Sequence, residues 1–212
     1  MNGKEFRHLI SAVVILFAVS AFEYSLSSNW VKFAQIFFFS ILIVFLTVSA
    51  KKIVAYSLDT DVEHELWSLG RYGFSQDSKF KKPLSAGIIL PLSISLISWG
   101  KTKVLPILTF EARALKHRAA KRFGYYSYAE ITDWHNALIG SAGIIAALLI
   151  AVITYFLPYN LEFLAKLAAF YAFWNVIPVS NLDGTQIFFG SKVLWSILAA
   201  ITLIITMYAL II

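Results

Sequence analysis

Long, nearly charge-free apolar runs constrain this chain more than any other feature. Val193 to Ile212 extends for twenty residues without a charge, and Trp30 to Ala50 carries only Lys32. A helix of about twenty residues, rising about 1.5 Å per residue, matches the roughly 30 Å of hydrocarbon in a bilayer. Lipid offers no partner to backbone N–H and C=O groups, so such runs fold as helices. With 59% hydrophobic and 14% charged residues and a mean hydropathy of +0.73, the 212 residues read as a polytopic membrane protein. The expected fold is all-α, a single membrane domain over 1–212 with five to six transmembrane helices.

The expected spans are 6–26, 30–50, 136–157, 161–178 and 193–212. The first has a basic start like a signal peptide. No small-x-small cleavage site followed by a soluble domain appears, so it reads as a retained helix. Residues 84–110 form a sixth apolar segment, interrupted by Pro91 and Pro106 and dotted with serines. That pattern suggests a re-entrant hairpin or a kinked pair, tolerable at membrane depth only when packed against protein. Between the spans, 51–82 carries mixed charge with weak alternation, consistent with a short membrane-associated strand or hairpin. Glu111 to Arg122 reads as a basic surface helix able to lie on anionic headgroups. Ser141-Ala-Gly143 is a small-residue pattern that lets helices approach closely.

Most of the eighteen Lys and Arg residues lie between Lys51 and Arg122. If 84–110 dips in and returns, the positive-inside rule places the N-terminus and the loops 51–83 and 111–135 in the cytoplasm. The basic residues have no nucleic-acid module around them, so nucleic acid is not an expected partner. Cysteine is absent, which excludes disulfides and thiolate metal sites. The expected partners are the lipid bilayer and transmembrane segments of other proteins, with homo- or hetero-oligomers open.

One polar, turn-forming stretch breaks the apolar C-terminal half: Trp174-Asn-Val-Ile-Pro178-Val-Ser-Asn181-Leu-Asp183-Gly184. As plain structure, Asn175, Asn181 and Asp183 would cap helices around a turn. An ionisable side chain at a break between spans also marks a buried site. The spacing Asn175-x-x-Pro178-x-x-x-Leu182-Asp183-Gly184 resembles the second signature of the site-2 protease family of intramembrane zinc metalloproteases. The resemblance implies that Asp183 is the third zinc ligand. It also implies that Asn175, Pro178, Asn181, Leu182 and Gly184 line the substrate groove, with Asn175 and Asn181 facing inward. Asp61 to Trp67 and Arg71 to Phe74 resemble the family's membrane-associated strand region. Ala129 to Gly143 resembles the start of its middle core helix, where the family's Gly-Pro is Gly143-Ile144.

A hydrolytic zinc needs three protein ligands and an open position for water. Two ligands come from His-Glu-x-x-His, because positions i and i+4 share a helix face and the Glu takes the water's proton. The resemblance places that motif at the end of the second span, where Thr47 and Lys51 replace the histidines and Val48 replaces the base. Of the four histidines, His64 begins a His-Glu-x-x-Ser sequence in a charged loop. His8, His117 and His135 are scattered, and a surface or capping role is the stronger reading for each. The overall expectation is a pseudoprotease that binds transmembrane segments or partner proteins, with no cofactor. Zinc is expected only if the site is functional. Two alternatives stay open, an active intramembrane zinc protease with unorthodox ligands and a small transporter or channel subunit. Without a metal, Asp183→Ala is expected to leave folding nearly intact.

Overall fold

The computed structural model describes residues 3–22, 30–71, 79–115, 131–157 and 161–211. In chain order the elements are α1 (Gly3–Ala21), α2 (Trp30–Ser57), β1 (Thr60–Leu66), β2 (Leu69–Arg71), β3 (Lys79–Leu84) and α3 (Ala86–Ile97). They continue as β4 (Leu108–Ala114), α4 (Asp133–Phe156), α5 (Glu162–Val176), α6 (Asp183–Gly190) and α7 (Lys192–Ile211). Helices dominate, and three of them are long and apolar enough to cross a membrane: α2, α4 and α7.

α4 is the central helix, with α2, α5 and α6 packed against it, while α7 lies outside on α5 and α6. The burial of the apolar windows follows this order, 61% for α4, 33% for α2 and 17% for α7. Much of the apolar surface of α2 and α7 therefore faces outward. Phe38, Phe45, Ile197, Leu203, Ile204 and Met207 are all exposed there. A soluble monomer rarely shows contiguous apolar area on that scale, and the three helices support membrane association. Inside, Ile43, Ile144, Leu167 and Ile187 interlock α2, α4, α5 and α6.

Several boundaries differ from the sequence reading. α2 runs seven residues past Ala50, because carboxylates from other elements meet Lys51 and Lys52. α5 has 15 residues and ends at Val176, with extended backbone at Ile177 as expected of a residue before proline. The eight-residue α6, between the last two expected spans, was not anticipated.

The short strand expected within 51–82 is present as β1 and β2, and β4 joins β1 where a helix was expected. β1 pairs antiparallel with β4, with Thr60 opposite Ala114, His64 opposite Phe110 and Leu66 opposite Leu108. The expected basic helix from Glu111 is therefore strand as far as Ala114, and 116–130 lie outside the described residues. Glu-Ala-Arg-Ala has good helix propensity, but burial of Leu108 and Phe110 against β1 overrides it. β2 and β3 form a second, irregular antiparallel pair.

The 12-residue α3 is too short to cross about 30 Å of hydrocarbon. The segment that contains it returns to its starting point. The Gly87 N–H donates to the Trp67 carbonyl, and the Trp67 N–H donates to the Ile107 carbonyl. A Cβ on Gly87 would lie 2.5 Å from the Ile107 oxygen, so glycine alone permits this approach.

Candidate functional site: a buried ion pair between α2 and α6

Thr47 and Lys51 stand at i and i+4 on α2 and share one face, while Val48 is turned about 100° from Thr47. All three are buried against the interior. The Thr47 hydroxyl donates to the Ile43 carbonyl one turn back, at 2.8 Å, and is occupied within its own helix. Lys51 extends inward. Its stem crosses α4 at Gly143, where a Cβ would lie 2.3 Å from the Lys51 Cε. The small-residue pattern in α4 therefore makes room for a lysine side chain as well as for a helix. The Lys51 ammonium stands 5.0 Å from the centre of the Phe110 ring.

The partner carboxylate comes from the polar break. α5 stops before Pro178, and the chain reverses through Ser180, which has a left-handed φ of 53°. It then enters α6 with Asp183 as the first residue. A Cβ on Gly184 would lie 2.1 Å from the Val176 oxygen, so glycine lets α6 fold back against the end of α5. The Trp195 indole N–H, donating to that same Val176 carbonyl at 2.9 Å, fixes the corner from α7. Gly140 and Ile187 seat α6 on α4. These contacts carry Asp183 Oδ2 to 2.6 Å from Lys51 Nζ, with both side chains 4% exposed or less. A carboxylate in the first turn of a helix is also favoured by the helix dipole.

The other residues expected to line a groove divide. Asn175, Leu182 and Gly184 are buried with Asp183, and the Asn175 amide donates to the Tyr171 carbonyl at 2.8 Å. Pro178 and Asn181 are exposed. Asn181, expected to face inward, instead borders a polar cleft of about 360 Å³ with Glu65, Thr109, Glu111, Asn136 and Gln186. The turn at Ser180 rotates it away from the Asp183 side, and Asn175 and Asn181 do not share one wall.

A second charged cluster adjoins the first, and the sequence reading missed it. Lys52, the next residue on α2, reaches the opposite way and places Nζ 2.6 Å from Glu5 Oε1 of α1. The same oxygen lies 3.2 Å from His64 Nδ1 and 3.4 Å from the His64 N–H. His64 is fully buried on β1, beside Phe110 on the same face of the sheet, and is not the surface residue expected. Burial, reinforced by the nearby Lys51 ammonium, pushes its imidazole down to about 3, against the opposing pull of Glu5. Burial would raise the Glu5 carboxyl, but Lys52 and His64 outweigh it and hold the group below its ordinary value. The consecutive lysines Lys51-Lys52 were the available signal. Two adjacent positions on a helix point about 100° apart, so the buried Lys51 and the half-buried Lys52 reach two separate carboxylates.

These donors do not fit a zinc ion. Among the described residues no group of three His, Cys, Asp or Glu side chains could hold a metal. Asp183 faces an ammonium, the Thr47 hydroxyl donates within its own helix and meets the Tyr171 hydroxyl, and His64 is held by Glu5. No family model, curated protein or solved structure matches the chain.

Proposed function

We propose that this chain is a multi-pass membrane protein of the site-2 protease type, without proteolytic activity, that binds transmembrane segments of other proteins. The observation that carries the reading is the Lys51–Asp183 pair. The resemblance assigns these residues, 132 positions apart, to two ligand positions around one metal. Side chains that share a metal must converge, and these two touch. Their contact replaces the metal charge with an ammonium and leaves no open position for a hydrolytic water.

Segment binding draws support from an apolar groove of about 510 Å³ between α1 and α2. It is lined by Ile10, Val14, Phe37, Phe45, Val48 and Lys52 among others, so it ends beside the charged clusters. In this reading 84–110 is a re-entrant hairpin, since its two ends meet at Trp67. The sheet and the basic loops then lie on the cytoplasmic face.

The test is the metal content of the purified protein by elemental analysis. The companion variant restores the missing motif through Thr47→His, Val48→Glu and Lys51→His together. The expected result is no zinc in the wild type and near-stoichiometric zinc in the triple variant, lost again on adding Asp183→Ala. Stoichiometric zinc in the wild type would overturn the pseudoprotease reading. A folded triple variant that binds none would overturn the family reading.

A further inference from the structure

The far ends of α4, α5 and α7 line a second, open apolar cavity, of about 520 Å³. Ala151 in its wall lies eight residues beyond Gly143, hence about 12 Å along α4 from the level of the Lys51 stem. Ala165, Ala169 and Ala209 keep the walls low. Tyr155 of α4 and Tyr208 of α7 line it too, with their hydroxyls hydrogen-bonded at 2.7 Å. The Thr206 hydroxyl of α7 donates to the Thr202 carbonyl of its own helix at 2.7 Å and also lies 3.3 Å from the Ala169 carbonyl of α5, which keeps the two helices close along one wall.

Two opposite charges border this cavity from the first turns of α5, Glu162 and Lys166. They stand one turn apart, Glu before Lys, the favourable order for an ion pair on a helix surface. No ion pair forms between them, and neither enters one elsewhere among the described residues. An unpaired carboxylate and ammonium at the helix-end boundary of an apolar recess complement a ligand with both charges and an apolar tail.

We propose that this cavity binds an aminophospholipid, its phosphate on Lys166, its ethanolamine ammonium on Glu162 and an acyl chain between α4, α5 and α7. The primary ammonium offers three N–H donors to the carboxylate. A choline headgroup offers none, and an anionic glycerol headgroup would satisfy Lys166 but bring no cation to Glu162. The inference rests on the multi-pass reading and is independent of the lost metal site.

The test titrates the purified full chain with phosphatidylethanolamine, phosphatidylcholine and phosphatidylglycerol of identical acyl chains, read by native mass spectrometry. Reconstitution in nanodiscs serves as the insertion control. The ethanolamine lipid is expected to bind about tenfold more tightly than either competitor, the gain of one charge-assisted contact. Glu162→Gln should abolish its advantage over the glycerol lipid, and Lys166→Gln should weaken both by similar factors. Both side chains border an open rim, and far-ultraviolet circular dichroism checks that each variant remains helical. Equal affinity for the three lipids, or a preference that survives Glu162→Gln, would overturn the proposal. So would a transmembrane peptide, and no lipid, cross-linked from position 169. Failure to insert into nanodiscs would remove the multi-pass reading as well, whereas insertion without lipid selectivity removes only the lipid site.

Discussion

Lys51→Met isolates the buried ion pair, because methionine keeps most of the stem volume beside Gly143 and removes only the charge. At 2.6 Å the pair attracts by about 6 kcal/mol with an effective dielectric near 20. Desolvating two ions costs several kcal/mol each, so the intact pair adds little net stability. Breaking it is different, since Asp183 is then left buried without its cation. That loss amounts to about 3–5 kcal/mol. For a chain of this size each kcal/mol moves Tm by about 2–4 °C, so the variant should melt about 6–20 °C lower. Asp183→Ala should lose stability for the mirror-image reason, which reverses the expectation that the change is harmless. The double variant Lys51→Met/Asp183→Ala should recover most of the loss, because it buries neither charge. The assay is thermal unfolding in one detergent for all four proteins, read as a double-mutant cycle. A Lys51→Met shift under about 2 °C, or losses that simply add in the double variant, would refute the reasoning.

Gly143→Ala forces its Cβ onto the Lys51 stem and should cost about 1–3 kcal/mol. The cost should shrink in a Lys51→Ala background, and equal costs in both backgrounds by chemical denaturation would contradict the contact. Gly184→Ala meets backbone at 2.1 Å, which cannot rotate away, so it should destabilise more than Gly143→Ala; the same denaturation series ranks them. Stability should also depend on pH through His64. The unfolded chain takes up this proton near 6.5 and the folded chain only near 3. The unfolded state thus holds more protons in that window, and stability is full above about pH 6.5 and falls as pH drops towards 3. Denaturation midpoints measured from pH 8 to 4 should show that slope, and His64→Gln should flatten it. The Glu5 carboxylate, held low by Lys52, adds a further loss only below its ordinary range.

The membrane class, the spans that became α2, α4 and α7, and the break at 178–184 were legible from local pattern. Uncharged length is a property of the chain itself, and proline and glycine act within a few residues. Asp183, Thr47, Val48 and Lys51 were singled out as well, through the resemblance to motifs that each lie within a single segment. What those residues do to one another was not. Glu-Ala-Arg-Ala in β4 follows the partner strand against its own propensity. His64 looks like a loop residue until α1, α2 and the sheet close over it. Asn181 shares a motif with Asn175 yet leaves its wall, because one left-handed residue turns the chain between them.

The sequence by itself therefore determined that apolar helices would form and where they would break, since both follow from side chains and backbone within one segment. Only the tertiary structure decided that Lys51 would grip Asp183 while Lys52 took Glu5. A buried charge such as Lys51 or Glu5 needs an opposite charge within about 3–4 Å, and only packing brings together groups so far apart in the chain.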